Sequence, residues 1–374
     1  MNNRKIILNT KYLILNTNSM DIKEELKSFK NKVDPEIEKF FDKVIKSSKE
    51  NNFITTQALE QVKKITLSGG KRLRPALMYW SYRGLNGKDE EEMLKTSVSI
   101  EVIHIFLLIH DDIIDNDQTR HGVETVHRQY AKIGKMISKK DNHTHFGNSM
   151  GIVVGDIVGA LGNQILYASN FPSDLVIKAL HQLQSIIARV AVGEAQDVYI
   201  EHKRKATEEE VLEMYKNKTA KYTIEGPLHL GAILAGADEE TLQKISKFSV
   251  PVGVAFQIQD DILGIFGNEK KIGKPVGSDI REGKQTILVV KALEKADKNQ
   301  KAEILNLLGK KDLTLNEIET FKKIITETGA LKYSQDLAQK LIFDGKKEIA
   351  ELNFTQEAKD FLLGIADYMA AREI

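Results

Sequence analysis

The feature that most restricts how this chain can fold is a pair of acidic clusters, each placed at the end of an apolar run. The first, His110-Asp111-Asp112-Ile113-Ile114-Asp115, closes the run Ile103 to Ile109, and the second, Gln257-Ile258-Gln259-Asp260-Asp261, follows Val250 to Ala255. Carboxylates carried into a core by such runs repel one another unless cations face them. A fold that buries both runs must therefore bring the clusters to where positive charge is supplied. On a helix, residues i and i+4 share a face, so Asp111 and Asp115 project together while Asp112 is turned roughly 100° aside. Either cluster alone also reads as a solvated acidic helix end. Two of them in separate buried segments favour one shared metal site.

The donor set narrows the metal. Carboxylate oxygens, 0 Cys and no His at helical ligand spacing beyond His110 favour a hard ion, Mg²⁺. Magnesium keeps several waters and is usually completed by phosphate oxygens, so a diphosphate substrate is expected.

Composition agrees with a helical enzyme. Of 374 residues 41% are hydrophobic, Pro numbers 6, and no Pro/Gly/Ser linker divides the sequence, so one large α-domain over residues 21–374 is expected. Lys plus Arg number 54 against 53 Asp plus Glu, which gives no reason to expect nucleic acid as a partner. The absence of Cys fits a reducing, cytoplasmic compartment. No uncharged apolar stretch reaches the about 20 residues that span a bilayer, so a chain that does not span the membrane is expected. Met1 to Ser19, rich in Asn, Ile and Lys, reads as a loosely ordered extension (residues 1–20) ahead of the helical pattern.

Along the chain, apolar spacing predicts one or two amphipathic helices from Asp21 to about Leu67, then Ser68-Gly69-Gly70-Lys71-Arg72-Leu73-Arg74-Pro75. Two glycines free the backbone to approach an anion, and Lys71 and Arg74 fall on one side of the next turn, as in a phosphate cradle. A Gly-terminated helix followed by a basic first turn is the alternative, and the Walker spacing is absent. Glu91 to Ile114 reads as a single helix on which His104, close to two turns before Asp111, faces the same cleft, although a His on an apolar helix taken alone reads more readily as a satisfied core residue. Arg120 and His121 follow the first cluster. Helices are expected at Phe146 to Ala168, Ser173 to Tyr199 (ending in Gly193-Glu194-Ala195-Gln196-Asp197) and Ile224 to Ala237, the last preceded by Lys218, Thr219 and Lys221. A loop with Gly273, Lys274, Gly277, Asp279, Gly283 and Lys284 is suited to folding over an anion.

Five segments in this order, GGKRLRP (69–75), HDDIID (110–115), GEAQD (193–197), KTA (218–220) and FQIQDD (256–261), resemble the trans-prenyltransferases, the polyprenyl synthases that include farnesyl and geranylgeranyl diphosphate synthases. The resemblance runs from about residue 30 to the C-terminus. It implies an all-α isoprenoid-synthase helical bundle around a central cavity, usually a homodimer, that condenses isopentenyl diphosphate with allylic diphosphates using three Mg²⁺ ions. By position, Asp111, Asp115 and Asp260 match metal ligands, with Asp112 adjoining them. Arg120, Lys218 and Lys274 match the cations that hold the allylic diphosphate. Lys71, Arg74 and His104 match the isopentenyl diphosphate site, with His121 beside them, and Thr219, Gln257 and Gln196 match polar cavity positions. Phe106, five residues before Asp111, matches the floor that stops the growing chain, and with Leu107 beside it and no insertion in the first motif the resemblance favours geranylgeranyl diphosphate as product.

Two departures stand out. The usual second Arg after the first motif is His121, so isopentenyl diphosphate binding is expected to be weaker and to worsen above neutral pH. The second motif ends in Gly264 where a third Asp is usual. A terpene cyclase would not need Lys71, Arg74 and His104, and a non-catalytic scaffold subunit tends to lose the aspartates kept here.

Overall fold

The structure, a computed structural model, describes residues 20–49, 53–139, 142–267 and 277–370. The expected extension lies outside these residues apart from Met20, as does Lys274. Helices occupy Ile22–Lys49 (α1), Phe53–Ser68 (α2), Leu73–Gly84 (α3), Glu90–Ile114 (α4), Val126–Ile137 (α5), His143–Tyr167 (α6), Ser173–Lys203 (α7), Glu208–Tyr215 (α8), Gly226–Leu234 (α9) and Glu239–Phe266 (α10). After these come Ser278–Glu282 (α11), Ile287–Lys295 (α12), Lys298–Leu307 (α13), Leu315–Glu327 (α14), Ala330–Glu348 (α15) and Gln356–Ala370 (α16). A two-residue hairpin, Thr119–Arg120 (β1) with Val123–Glu124 (β2), pairs Thr119 with Glu124. The fold is all-α, as the composition requires.

The central helix is set locally. Asp89 accepts a hydrogen bond from the Glu92 backbone N–H at 2.9 Å and Glu90 to Glu92 put negative charge on the positive end of α4. From Thr96 to Val102 every residue of α4 is buried, so the helix is wrapped by neighbours instead of lying on the surface. α3, α6 and α1 pack on it, α10 packs on α15, and one continuous core runs from Ile22 to Met369. Its last turn carries the first acidic cluster out of that core, and the far end of α10 does the same for the second.

The apolar helix expected from Ile224 begins earlier and in another form. Lys216–Glu225 is π-helical, continuous with α8 before it and α9 after it, and the Gly226 N–H donates to the Lys221 carbonyl five residues back. This wider turn carries Lys218 and Thr219. α6 and α7 are each long and apolar enough to cross a membrane by length and composition. Each nonetheless carries charge, Asp156 on α6 and Lys178, Arg189 and Glu194 on α7, and both pack against other helices of the bundle.

Candidate active site

The first cluster divides as its spacing predicts, and its members do different things. Asp111 lines a chamber of 920 Å³ together with Phe106, Lys218, Thr219, Gln257 and Asp260. Burial, and then the charge of Asp115, push the Asp111 carboxyl above the usual range. Asp115 caps α4 and meets the Lys284 ammonium at 3.4 Å. Asp112, turned aside, is 2% exposed and accepts from Arg120 Nε at 2.8 Å. Arg120 also reaches Asp117 at 3.0 Å and Asp111 at 3.6 Å. Asp112 therefore does not line the chamber and is paired with Arg120 instead.

Two lysines face Asp111 and Asp115 across the site. Lys218 Nζ lies 2.6 Å from Asp197 and 2.8 Å from Glu194, and Lys284 Nζ lies 3.4 Å from both Asp197 and Asp115. Burial alone would raise the Asp197 carboxyl, but Lys218 and Lys284 outweigh it and hold Asp197 below the usual range. Both lysines are raised in turn: burial works against their charge, and the surrounding carboxylates overcome it. All the pairs lie within salt-bridge distance in a largely buried place, so the charges are already fixed in position.

The second cluster divides in the same way. Asp260 lines the chamber, whereas Asp261 is buried and held by the Tyr215 hydroxyl and by Gln257 Nε2 at 2.8 Å. Gln257 in turn accepts from Thr219 at 2.6 Å, which ties the π-helical turn to α10. A Cβ at Gly264 would lie 2.2 Å from Asp279 Oδ2. A carboxylate from the next helix thus stands against the position where the usual third Asp is missing.

A second chamber, 840 Å³, adjoins the first and is basic: Lys71, Arg72, Arg74 and His121 line it. The two share Arg74, His104, Thr223, Phe256 and Asp260. The glycine loop is shaped by positive φ at Gly70 (82°) and Arg72 (54°). Arg72 is the anchor: its guanidinium, 1% exposed, meets Asp34 of α1 at 2.6 Å, Glu101 of α4 at 2.8 Å and the Thr66 carbonyl at 2.7 Å. That leaves Lys71, 4.9 Å over the Tyr368 ring, and Arg74, bonded to Thr223 at 2.8 Å, facing the chamber. His121 and Gly122 both have positive φ (53° and 76°), as the two-residue turn of a tight hairpin requires, and the His121 ring lies against Gly69.

Among the described residues, Arg74 Nε, His104 Nδ1 and Glu194 Oε1 are buried without a hydrogen-bond partner, and no three His, Asp or Glu side chains form a ready metal cage. All three residues line the first chamber, so these unpaired atoms are available to a ligand there. Two carboxylates on one helix with a third opposite fit an ion whose remaining positions are filled by substrate oxygens.

A sequence model of the polyprenyl synthetase family matches residues 56–326. The chain belongs to that family. The geranylgeranyl diphosphate synthase of Saccharolobus solfataricus is 35% identical over 318 residues, covering 84% of this chain and 90% of the relative. The geranylfarnesyl diphosphate synthase of Natronomonas pharaonis is 32% identical, covering 82% and 87%. Among solved structures, the Corynebacterium glutamicum geranylgeranyl pyrophosphate synthase complexed with isoprenyl diphosphate and magnesium superposes with a TM-score of 0.87 at 28% identity, covering 95% of this chain and all of that one. This polyprenyl synthetase is a chain-elongating prenyltransferase.

In this synthetase most of the residues expected at the site line the two chambers. Asp112, Asp115 and Arg120 line neither, Gln196 lines an outer groove, and Lys274 lies outside the described residues. His104 is pushed well below the usual histidine range, by burial first and then by Arg74 and Arg120, so it enters as a neutral imidazole. His121 is also lowered, by lost hydration and then by Arg120 and Arg72. Its titration in the ligand-free protein is therefore displaced to the acid side of the usual histidine range. Lys284, Asp197, Glu194 and Arg72 were not singled out as site residues by sequence reasoning. Each belongs to a motif that was recognised, but its role depends on partners as far as 169 residues away.

Proposed function

We propose that this synthetase joins isopentenyl diphosphate, held in the basic chamber by Lys71, Arg74, His104 and His121, to an allylic diphosphate held in the apolar one, and stops at geranylgeranyl diphosphate. The observation that carries this reading is the pair of adjoining chambers with a shared wall. One is lined by cations for a second diphosphate, and the other is walled by Phe106, Leu107, Ile187 and Val190 below the carboxylates.

Arg120, Lys218, Lys274 and Lys284 stabilise negative charge as the allylic C–O bond breaks and diphosphate departs. The allylic cation is shielded from water by the apolar wall. The isopentenyl double bond forms the new C–C bond, and the resulting cation loses a proton to the departed diphosphate. Asp111, Asp115 and Asp260 would hold three Mg²⁺ ions, which when bound would supply Lewis acidity at the leaving group. Phe106 lies on the chamber wall and forms the floor that limits the tail.

The exposed apolar residues Ile152 and Val153 of α6 and Ile177 and Val192 of α7 support a homodimer built on these helices. The lack of Cys is compatible with a cytoplasmic enzyme. The test is incubation with Mg²⁺, isopentenyl diphosphate and, separately, dimethylallyl, geranyl and farnesyl diphosphates, followed by chain-length analysis. Geranylgeranyl diphosphate as end point is expected. A farnesyl or longer end point would overturn the product assignment, and no condensation from folded protein would overturn the catalytic one.

A further inference from the structure

α4 and α6 cross antiparallel, and side chains of α4 seat on glycines of α6: Ile113 on Gly151, His110 on Gly155, Phe106 on Gly159 and Ile103 on Gly162. The four seats differ in how tightly they are filled. A Cβ would lie 2.7 Å from Ile113 at 151, 2.3 Å from the His110 ring at 155 and 2.8 Å from Ile103 at 162, whereas at 159 it would lie 3.2 Å from Phe106 Cγ and 3.3 and 3.4 Å from the two δ carbons. Gly159 is thus the one seat of the four at which a methyl group can be accommodated by a shift of a few tenths of an ångström.

The Phe106 ring is bounded on two sides and opens on the chamber. Gly159 is behind it, His110 stands edge-on beside it with ring centroids 5.0 Å apart, and the apolar chamber is in front, lined by both rings and not by Gly159. We propose that Gly159 sets the height of the chain-length floor: lacking a side chain, it lets the Phe106 ring lie back against α6, and any side chain there pushes the ring into the space meant for the end of the growing prenyl tail. Gly159 is a positioning residue, since it acts through Phe106 and touches no substrate. The inference rests on the reading of Phe106 as the floor.

The experiment is a cycle of Gly159→Ala, Phe106→Ala and the double variant, scored by product chain length and by the rate of the first condensation on dimethylallyl diphosphate. That short primer does not reach the floor. Gly159→Ala is expected to lower the ratio of C20 to C15 product about tenfold, the lower range of what crowding a filled site costs, at an unchanged first-condensation rate. In the Phe106→Ala background the same substitution is expected to leave chain length unmoved.

If Phe106→Ala lengthens the product but Gly159→Ala leaves it unchanged, the seat inference fails and the floor stands. If Gly159→Ala shortens the product equally in both backgrounds, Gly159 acts without Phe106 and the inference fails. If Phe106→Ala itself changes nothing, the floor reading falls and takes this inference with it. Should Gly159→Ala fold poorly, the less crowded pair Gly159→Ala with Phe106→Leu carries the test: recovery of the C20 end point supports the inference, and a fixed C15 end point overturns it.

Discussion

Gly193 sits where α7 meets the π-helical turn that carries Lys218. α7 passes so close to the π-helical turn that a Cβ at 193 would lie 2.4 Å from the Lys218 backbone N and 2.7 Å from its Cα. Ordinary contact begins at 3.4 Å, so Gly193→Ala requires the two elements to part by about 3.4 − 2.4 = 1.0 Å. The obstructing atoms are backbone and cannot rotate away. That separation falls directly on the Lys218 pairs with Asp197 (2.6 Å) and Glu194 (2.8 Å), both carried by α7. Overpacking of this kind costs about 1–3 kcal/mol of stability, and a misplacement of about 1 Å costs on the order of 10²-fold in rate. Thermal denaturation of Gly193→Ala should show a Tm a few degrees lower, and steady-state kinetics a kcat/KM for the allylic substrate down by about 10²-fold, with affinity for isopentenyl diphosphate less affected. A Gly193→Ala enzyme with parental Tm and activity would refute the reasoning.

Three further outcomes follow from the charges. Arg72→Met strands the Glu101 carboxylate, 4% exposed, and should destabilise the fold by about 3–5 kcal/mol, read by denaturant titration; a loss below about 1 kcal/mol would show that the anchor contributes little. Lys284→Ala should lower allylic kcat/KM by about 10²-fold in initial-rate assays, and a change within twofold would remove Lys284 from the site. His121 is neutral above its lowered pKa and an anion favours its charged form, so the KM for isopentenyl diphosphate should rise as pH rises through the His121 titration and level off once the residue is neutral in the complex as well. His121→Arg should flatten that profile and lower the KM, and an identical profile in both enzymes would exclude His121.

What the sequence made legible is what depends on neighbours along the chain. The α4 helix was expected from Glu91 to Ile114 and runs from Glu90, because its apolar spacing and the acidic start preceding it are local signals. The different orientations of Asp111 and Asp112 follow from helical geometry alone. What Asp112 faces does not, since Arg120 returns to it through a hairpin whose turn geometry the spacing of charges does not reveal. Lys284 was visible as one basic residue in a glycine-rich loop, but its meeting with Asp115 is a property of the closed bundle. Gly264 reads as a missing third carboxylate, and the Asp279 side chain that stands against it comes into view only in the folded chain. The π-helical turn was missed because apolar periodicity cannot distinguish a turn of 3.6 residues from a slightly wider one over so short a span.

That wider turn gives the chain from Glu208 to Leu234 an unusual relation to its own length. A π-helical segment holds more residues than the α-helix that would join the same two ends. Removing one residue between Lys216 and Glu225 would therefore leave α8 and α9 connectable by an unbroken α-helical ladder, with no gap in the backbone. The cost would be rotational: each residue turns an α-helix by about 100°, so Lys218 and Thr219 would swing away from Asp197 and Gln257 while the helix itself remained sound. A chain one residue shorter in this stretch is expected to fold and to lose the Lys218–Asp197 and Thr219–Gln257 contacts, so that here the number of residues matters as much as their identity.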